Sequence, residues 1–213
     1  AREVVARRRL EALGELASSL SAALTTEDVA KIVVESGMNG ATADTCTLYS
    51  FNESTRQLDL IAERGCNPEI VKQIRHIGPE SPTYGAIATG KSLWVETAEE
   101  YARVYPELAH KKVPGERAQA FWSVPLIAEG KPIGLLGMGF HEPRTFPPSE
   151  RDFVTTFSHH CAEALVRAHH LEGERRAREV AETLQASLAT TLRSIGDAVI
   201  ATDAAGCVTI MNP

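Results

Sequence analysis

Between residues 118 and 141 the apolar positions fall into a two-residue rhythm. Ala120, Trp122 and Val124 alternate with Phe121, Ser123 and Pro125, as expected of a strand with both faces occupied. The spacing predicts strands over 118–128 and 132–141, joined at Glu129-Gly130-Lys131, where the glycine suits a short hairpin. Shorter apolar runs predict strands over 45–51, 57–63 and 92–96. Helices are expected over 3–24, 27–40, 68–76, 82–89, 97–105 and 148–195. Thr26 with Glu27 and Asp28 reads as the cap and first turn of the second helix. Gly90 reads as a helix stop, and Pro147, Pro148 and Ser149 stand where the last helix begins. The class is α+β, with helices on one face of the sheet and loops on the other.

Three helical stripes stand out. Ala6, Leu10, Leu13, Ala17, Leu20 and Leu24 recur at intervals of 4, 3, 4, 3 and 4, which aligns them on one side of a helix. Val154, Phe157, Cys161, Ala164, Ala168 and Leu171 repeat the rhythm near the other end, so the two terminal helices of the domain are expected to pack side by side. The third stripe is Ala177, Ala181, Leu184, Leu188, Thr191 and Ile195, and it follows a polar interruption at residues 172–176. A helix over 149–195 spans roughly 70 Å at the α-helical rise, longer than one small domain covers. Such a helix needs a partner, and a second copy is the simplest one, giving a coiled-coil homodimer. Chance recurrence in an alanine-rich helix is the plainer alternative.

Composition narrows the function. The chain has 213 residues, 43% of them apolar, enough for one core of ordinary size with flanking elements. The formal charge of -6 and pI near 5.7 speak against nucleic acid, which favours a basic face. The sequence has neither an 18-residue apolar run nor a leader pattern, so membrane insertion by this segment is not expected. Cys46, Cys66, Cys161 and Cys207 lack a regular spacing, and reduced thiols in the cytoplasm fit best.

Taken in order, LEALGELASSLSAALTTEDVAKIVVESGMNGATADTCTLYSFNESTRQLDLIAERG (10–65), SPTYGAIATGKSLWVE (81–96) and the strand-turn-strand-helix segment 117–165 resemble a GAF domain, a small-molecule sensing module of bacterial signalling proteins. The resemblance implies an antiparallel sheet of five to six strands and a ligand on the loop-covered face. SIGDAVIATD (194–203), followed by Gly206, Val208 and Met211-Asn212, resembles the start of a PAS domain. The implied organisation is an N-terminal dimerisation helix (1–25), a GAF domain (26–168), a coiled-coil signalling helix (169–195) and a truncated PAS start (196–213). The implied parent is a cytoplasmic receptor, most often a sensor histidine kinase. In that case the catalytic domains lie beyond residue 213, and this fragment is not itself an enzyme.

Candidate ligand contacts are Tyr84, Trp94, Trp122, Phe140 and His141, taken from segments that line the pocket in similar domains. For each aromatic, ordinary core is the competing reading. Cys46 and Tyr49 have opposite parity on the first strand, so at most one of them faces the pocket. The basic run His110–Arg117 reads as a solvated loop or as a cap over an anionic ligand. The Asn-Lys…Phe…Asp-Glu set of cyclic-nucleotide-binding relatives is missing, as are the Asp-Ile-Pro stretch and Cys-His pair of bilin-binding ones. Cys66 lacks the neighbours of a thiol attachment point, and haem through His76 or His141 has no support. His159 and His160 point about 100° apart on a helix and cannot share a metal ion. They also lack the box that surrounds a kinase phosphoacceptor. The cofactor is therefore unknown, with no metal and no catalytic residue expected. Two other functions compete with the sensor: a ligand-free dimerisation module, and a free methionine sulfoxide reductase working through cysteine pairs.

Overall fold

The computed structural model describes residues 2–106, 118–194 and 200–211. The chain divides into two units, residues 1–169 and 170–213. The first holds α1 (Arg2–Ala22), α2 (Thr26–Ala41), β1 (Thr45–Asn52), β2 (Gln57–Arg64), α3 (Pro68–Ile74), β3 (His76–Ile77), α4 (Tyr84–Thr89), β4 (Leu93–Val95), α5 (Ala98–Val104), β5 (Ala120–Ala128) and β6 (Lys131–Phe140). It also holds the first part of α6 (Pro148–Ser194). The six strands form one antiparallel sheet in the order β3-β2-β1-β6-β5-β4.

Local chemistry explains where the elements begin and end. β5 and β6 meet at Glu129-Gly130, both with positive φ (52° and 76°), between the paired residues Ala128 and Lys131. Two left-handed residues are what a two-residue hairpin requires. Gly90 closes α4 at φ 66°, and Pro148 opens α6 while the Pro147 carbonyl accepts from the Glu150 and Arg151 amides. The cap of α2 is one residue earlier than the sequence pattern predicts. Thr25 is extended and its hydroxyl accepts from the Asp28 amide at 3.1 Å, whereas Thr26 is already helical. A second difference is β3, where the pattern runs α3 on to residue 76. The structure ends that helix at Ile74, and His76 and Ile77 pair with Asp59 and Leu58.

Strand parity sorts the side chains. Cys46, Leu48, Ala120, Trp122, Val124, Leu136, Met138 and Phe140 bury against α1, α2 and the start of α6 in the main core. Val154, Phe157, Cys161, Ala164 and Ala168 close that core, following the expected stripe, while Leu171 is exposed. Along α1 and just past its end, Leu16, Leu20 and Ala23 are buried with Leu13 partly covered, whereas Ala17 and Leu24 are exposed, and the side chains of Ala6 and Leu10 lie outside the described residues. The stripe is therefore rotated from the predicted one, because α1 packs on its own domain along a 3.6-residue period. Arg167 also donates to the Leu20 carbonyl near the end of α1.

In the second unit the remainder of α6 is followed by a hairpin of β7 (Ile200–Thr202) and β8 (Val208–Met211). Asp203 organises its turn, accepting from the Ala205 and Cys207 amides at 2.9 Å through its carboxylate. Ala177, Ala181, Leu184, Leu188 and Thr191 are all exposed. Ile195, the last residue of that predicted stripe, lies outside the described residues.

Candidate functional site

The other face of the sheet, reached by the odd-numbered residues of β1, β5 and β6, carries no long helix among the described residues. Two small apolar clusters flank it. One is built from Tyr49, Leu58, Ile77, Tyr84, Ile87 and Leu135, and the other from Val95, Tyr105 and Phe121. A cavity of about 980 Å³ lies there, walled by α3, the segment after β3, and α5.

Its floor is made of missing side chains. Gly137 sits between Thr47 of β1 and Ser123 of β5, and Gly139 between Thr45 and Phe121. A Cβ on Gly137 would stand 2.8 Å from the Thr47 hydroxyl, and one on Gly139 would stand 2.5 Å from the Thr45 hydroxyl. The two glycines thus keep a trough open down to the β6 backbone. The hydroxyls of Thr45, Thr47 and Ser123 flank it. Tyr101, Tyr105 and Phe121 form an aromatic wall with centroids 5.2–5.8 Å apart, in which both tyrosines meet Phe121 edge-on and are tilted against each other. Tyr105 is in addition bonded through its hydroxyl to Thr83.

Electrostatics divide the floor from the rim. Burial holds the Tyr49 phenol well above its ordinary value, against an opposing hydrogen bond from Thr47. The tyrosine is therefore neutral where it meets the cavity. The lining residues Glu80, Arg103 and His76 are exposed, and His76 Nδ1 lies 2.7 Å from Asp59. At the far end of the trough the His141 amide donates to Asp44 at 2.7 Å, and its Nδ1 lies 3.8 Å from the same carboxylate. His141 Nε2 is buried with no hydrogen-bond partner.

Of the five candidate contacts, His141 lines the cavity. Trp94, Trp122 and Phe140 belong to the opposite, helix-covered core. Trp94 packs 6.0 Å from Trp122 and 5.4 Å from Phe146. Tyr84 is buried in the flanking cluster, 6.2 Å from Phe51, and is not among the lining residues. The parity argument on β1 places Tyr49 in the cavity and Cys46 in the core. The lining residues that sequence reasoning passed over are Thr45, Thr47, Phe121, Ser123, Gly137 and Gly139. Their signal was the alternation of β6, in which two glycines share parity with His141. The run His110–Arg117 lies outside the described residues.

Cys66 lines the cavity, whereas Cys46 is fully buried, and burial first and the neighbouring Cys66 second push its thiol up. A thiol so placed is a poor nucleophile. His159 and His160 both approach Glu163, at 3.3 and 3.8 Å, on an exposed surface. Among the described residues there is no cluster of three or more His, Cys, Asp or Glu able to hold a metal, and no helix long and apolar enough to cross a membrane.

Residues 23–166 match the family model described as GAF domain. Among solved structures, the chain resembles the GAF domain of a phosphoenolpyruvate-protein phosphotransferase from Coxiella burnetii, at 23% identity and TM-score 0.66, over 79% of this chain and 98% of that one. It also resembles the free methionine-R-sulfoxide reductase of Neisseria meningitidis in complex with its substrate, at 13% identity and TM-score 0.61, over 76% and 90%. A domain of a putative two-component sensor histidine kinase from Sinorhizobium meliloti 1021 aligns at 19% identity and TM-score 0.54, over 70% and 96%. At these identities the likeness is one of fold. No curated protein matches the chain.

Proposed function

Because this chain belongs to the GAF domain family, we propose that it is the sensory module of a cytoplasmic signalling receptor, binding a small molecule in the cavity over β1, β5 and β6. The observation that carries this reading is the trough at Gly137 and Gly139. Two glycines at the centre of a sheet give up side-chain packing, and here they leave a roomy, hydroxyl-edged hollow of the kind small ligands occupy. Binding shifts the balance between two packings of sheet against terminal helices. Two copies pair through α1 and the later part of α6. The helix passes the change to the PAS-like segment and an output domain, a histidine kinase in the arrangement that the sequence resembles. Support for a sensory role comes from relatives of the same fold that are named as signalling proteins.

The test is thermal unfolding across a library of small metabolites. A binder should raise the midpoint of the wild type and leave that of Gly137→Ala unchanged. A library without effect on the wild type would favour a module that only dimerises.

A further inference from the structure

The cavity floor carries information about the ligand's chemistry, on the reading that this cavity is the binding site. Ser123 is only 3% exposed and its hydroxyl borders the trough. Neither its hydroxyl nor that of Thr45 makes a hydrogen bond among the described residues, although both backbones are paired in the sheet. His141 Nε2, at the end of the same track, is also buried and unpartnered. Leaving the buried His141 Nε2 unpaired is costly, and the two hydroxyls beside the trough gain a partner that a ligand supplies. Because a serine hydroxyl both donates and accepts, a ligand edge with a donor beside an acceptor satisfies the track best.

Charge narrows the class further. Thr45, Thr47, Phe121, Ser123 and the two glycines are uncharged, and the lining residues Glu80 and Arg103, which carry full charges, are exposed. An anion laid on this floor would be desolvated with no described cation against it. The bare backbone at Gly137 and Gly139 admits a flat body, and Phe121 lines the cavity beside it.

We propose that the cavity selects an uncharged planar ligand bearing a carboxamide or lactam edge, and rejects the carboxylate of the same shape. Benzamide and benzoate provide the test, being nearly equal in size and shape and different in charge. Their dissociation constants would be measured by ligand-observed NMR at neutral pH. Benzamide is expected to bind at least tenfold more tightly than benzoate. Ser123→Ala is expected to weaken benzamide at least threefold while the thermal midpoint stays within a few degrees, with Thr45→Val as a second variant. Equal or tighter binding of benzoate, binding of neither probe at 20 mM, or indifference of benzamide to both substitutions would overturn the proposal. Should the probes fail while a library metabolite binds and Gly137→Ala abolishes that binding, the ligand class falls and the site stands.

Discussion

Arg151, on the first turn of α6, holds the carboxylate of Glu96 at 3.2 Å. Glu96 directly follows β4, and the same carboxylate accepts the Phe146 amide at 3.0 Å. Its own amide donates to Glu100 of α5 at 2.8 Å. Arg151 completes the tie by donating to the Phe146 carbonyl and lying over the Trp94 ring. The helix that lines the cavity with Tyr101 and, at its exposed rim, Arg103 is thereby fastened to the start of the long helix. On the proposed sensory reading, a ligand that moves α5 would pull on α6 through these two residues.

Loss of the tie has a modest cost. The Arg151 side chain is 44% exposed, so the ion pair itself contributes little. The charged hydrogen bond to the Phe146 amide brings the total for Glu96→Ala to about 1–2 kcal/mol. Urea unfolding measures it, and Glu96→Gln, which keeps one acceptor, should lose less.

Trp122 is 1% exposed at the centre of the main core. Trp122→Ala should cost about 3–5 kcal/mol in guanidinium unfolding. Its parity turns it away from the cavity, so a destabilised but folded variant should still bind whatever ligand the wild type binds.

That tryptophan also shows what the sequence makes legible. Strand and helix positions were readable because β5 and β6 alternate cleanly and because Gly90, Gly130 and Pro148 punctuate the chain at real ends. The cavity was less readable, since Trp94, Trp122 and Phe140 advertise size whereas the cavity is defined by absence at Gly137 and Gly139. Which parity of a doubly buried strand faces the hollow depends on which face α1, α2 and α6 cover. That is settled by packing rather than by spacing. The short β3 was hidden for the same reason, because two residues carry no period.

Stability should fall in alkali. Burial pushes the Cys46 and Cys161 thiols up in the folded state, so the native protein keeps protons that the unfolded chain releases. The contribution is present in full below the ordinary thiol value near about 8.5 and declines as pH rises above it, by up to about 1.4 kcal/mol per pH unit for each thiol. Urea midpoints at pH 8 and pH 10 should differ accordingly, and the slope should flatten in Cys46→Ala and in Cys161→Ala. A slope unchanged in both variants would remove the thiols as its source.

Pairing through the later part of α6 predicts two chains in sedimentation at micromolar concentration. Leu184 and Leu188 are 61% and 57% exposed in the single chain, so Leu184→Lys with Leu188→Lys should leave its fold intact and shift the mass toward one chain. A wild type that sediments as one chain throughout would exclude the pairing.

Native mass spectrometry, on protein purified without denaturation, tests the sensory reading most directly when wild type and Gly137→Val are run side by side. The branched side chain fills the trough between Thr47 and Ser123, and a parallel thermal melt checks that the variant is folded. The account predicts a small molecule retained by the wild type, or captured from a metabolite extract, and lost from the folded variant. Equal retention by both, or an empty wild type that takes up nothing from the extract, would contradict it.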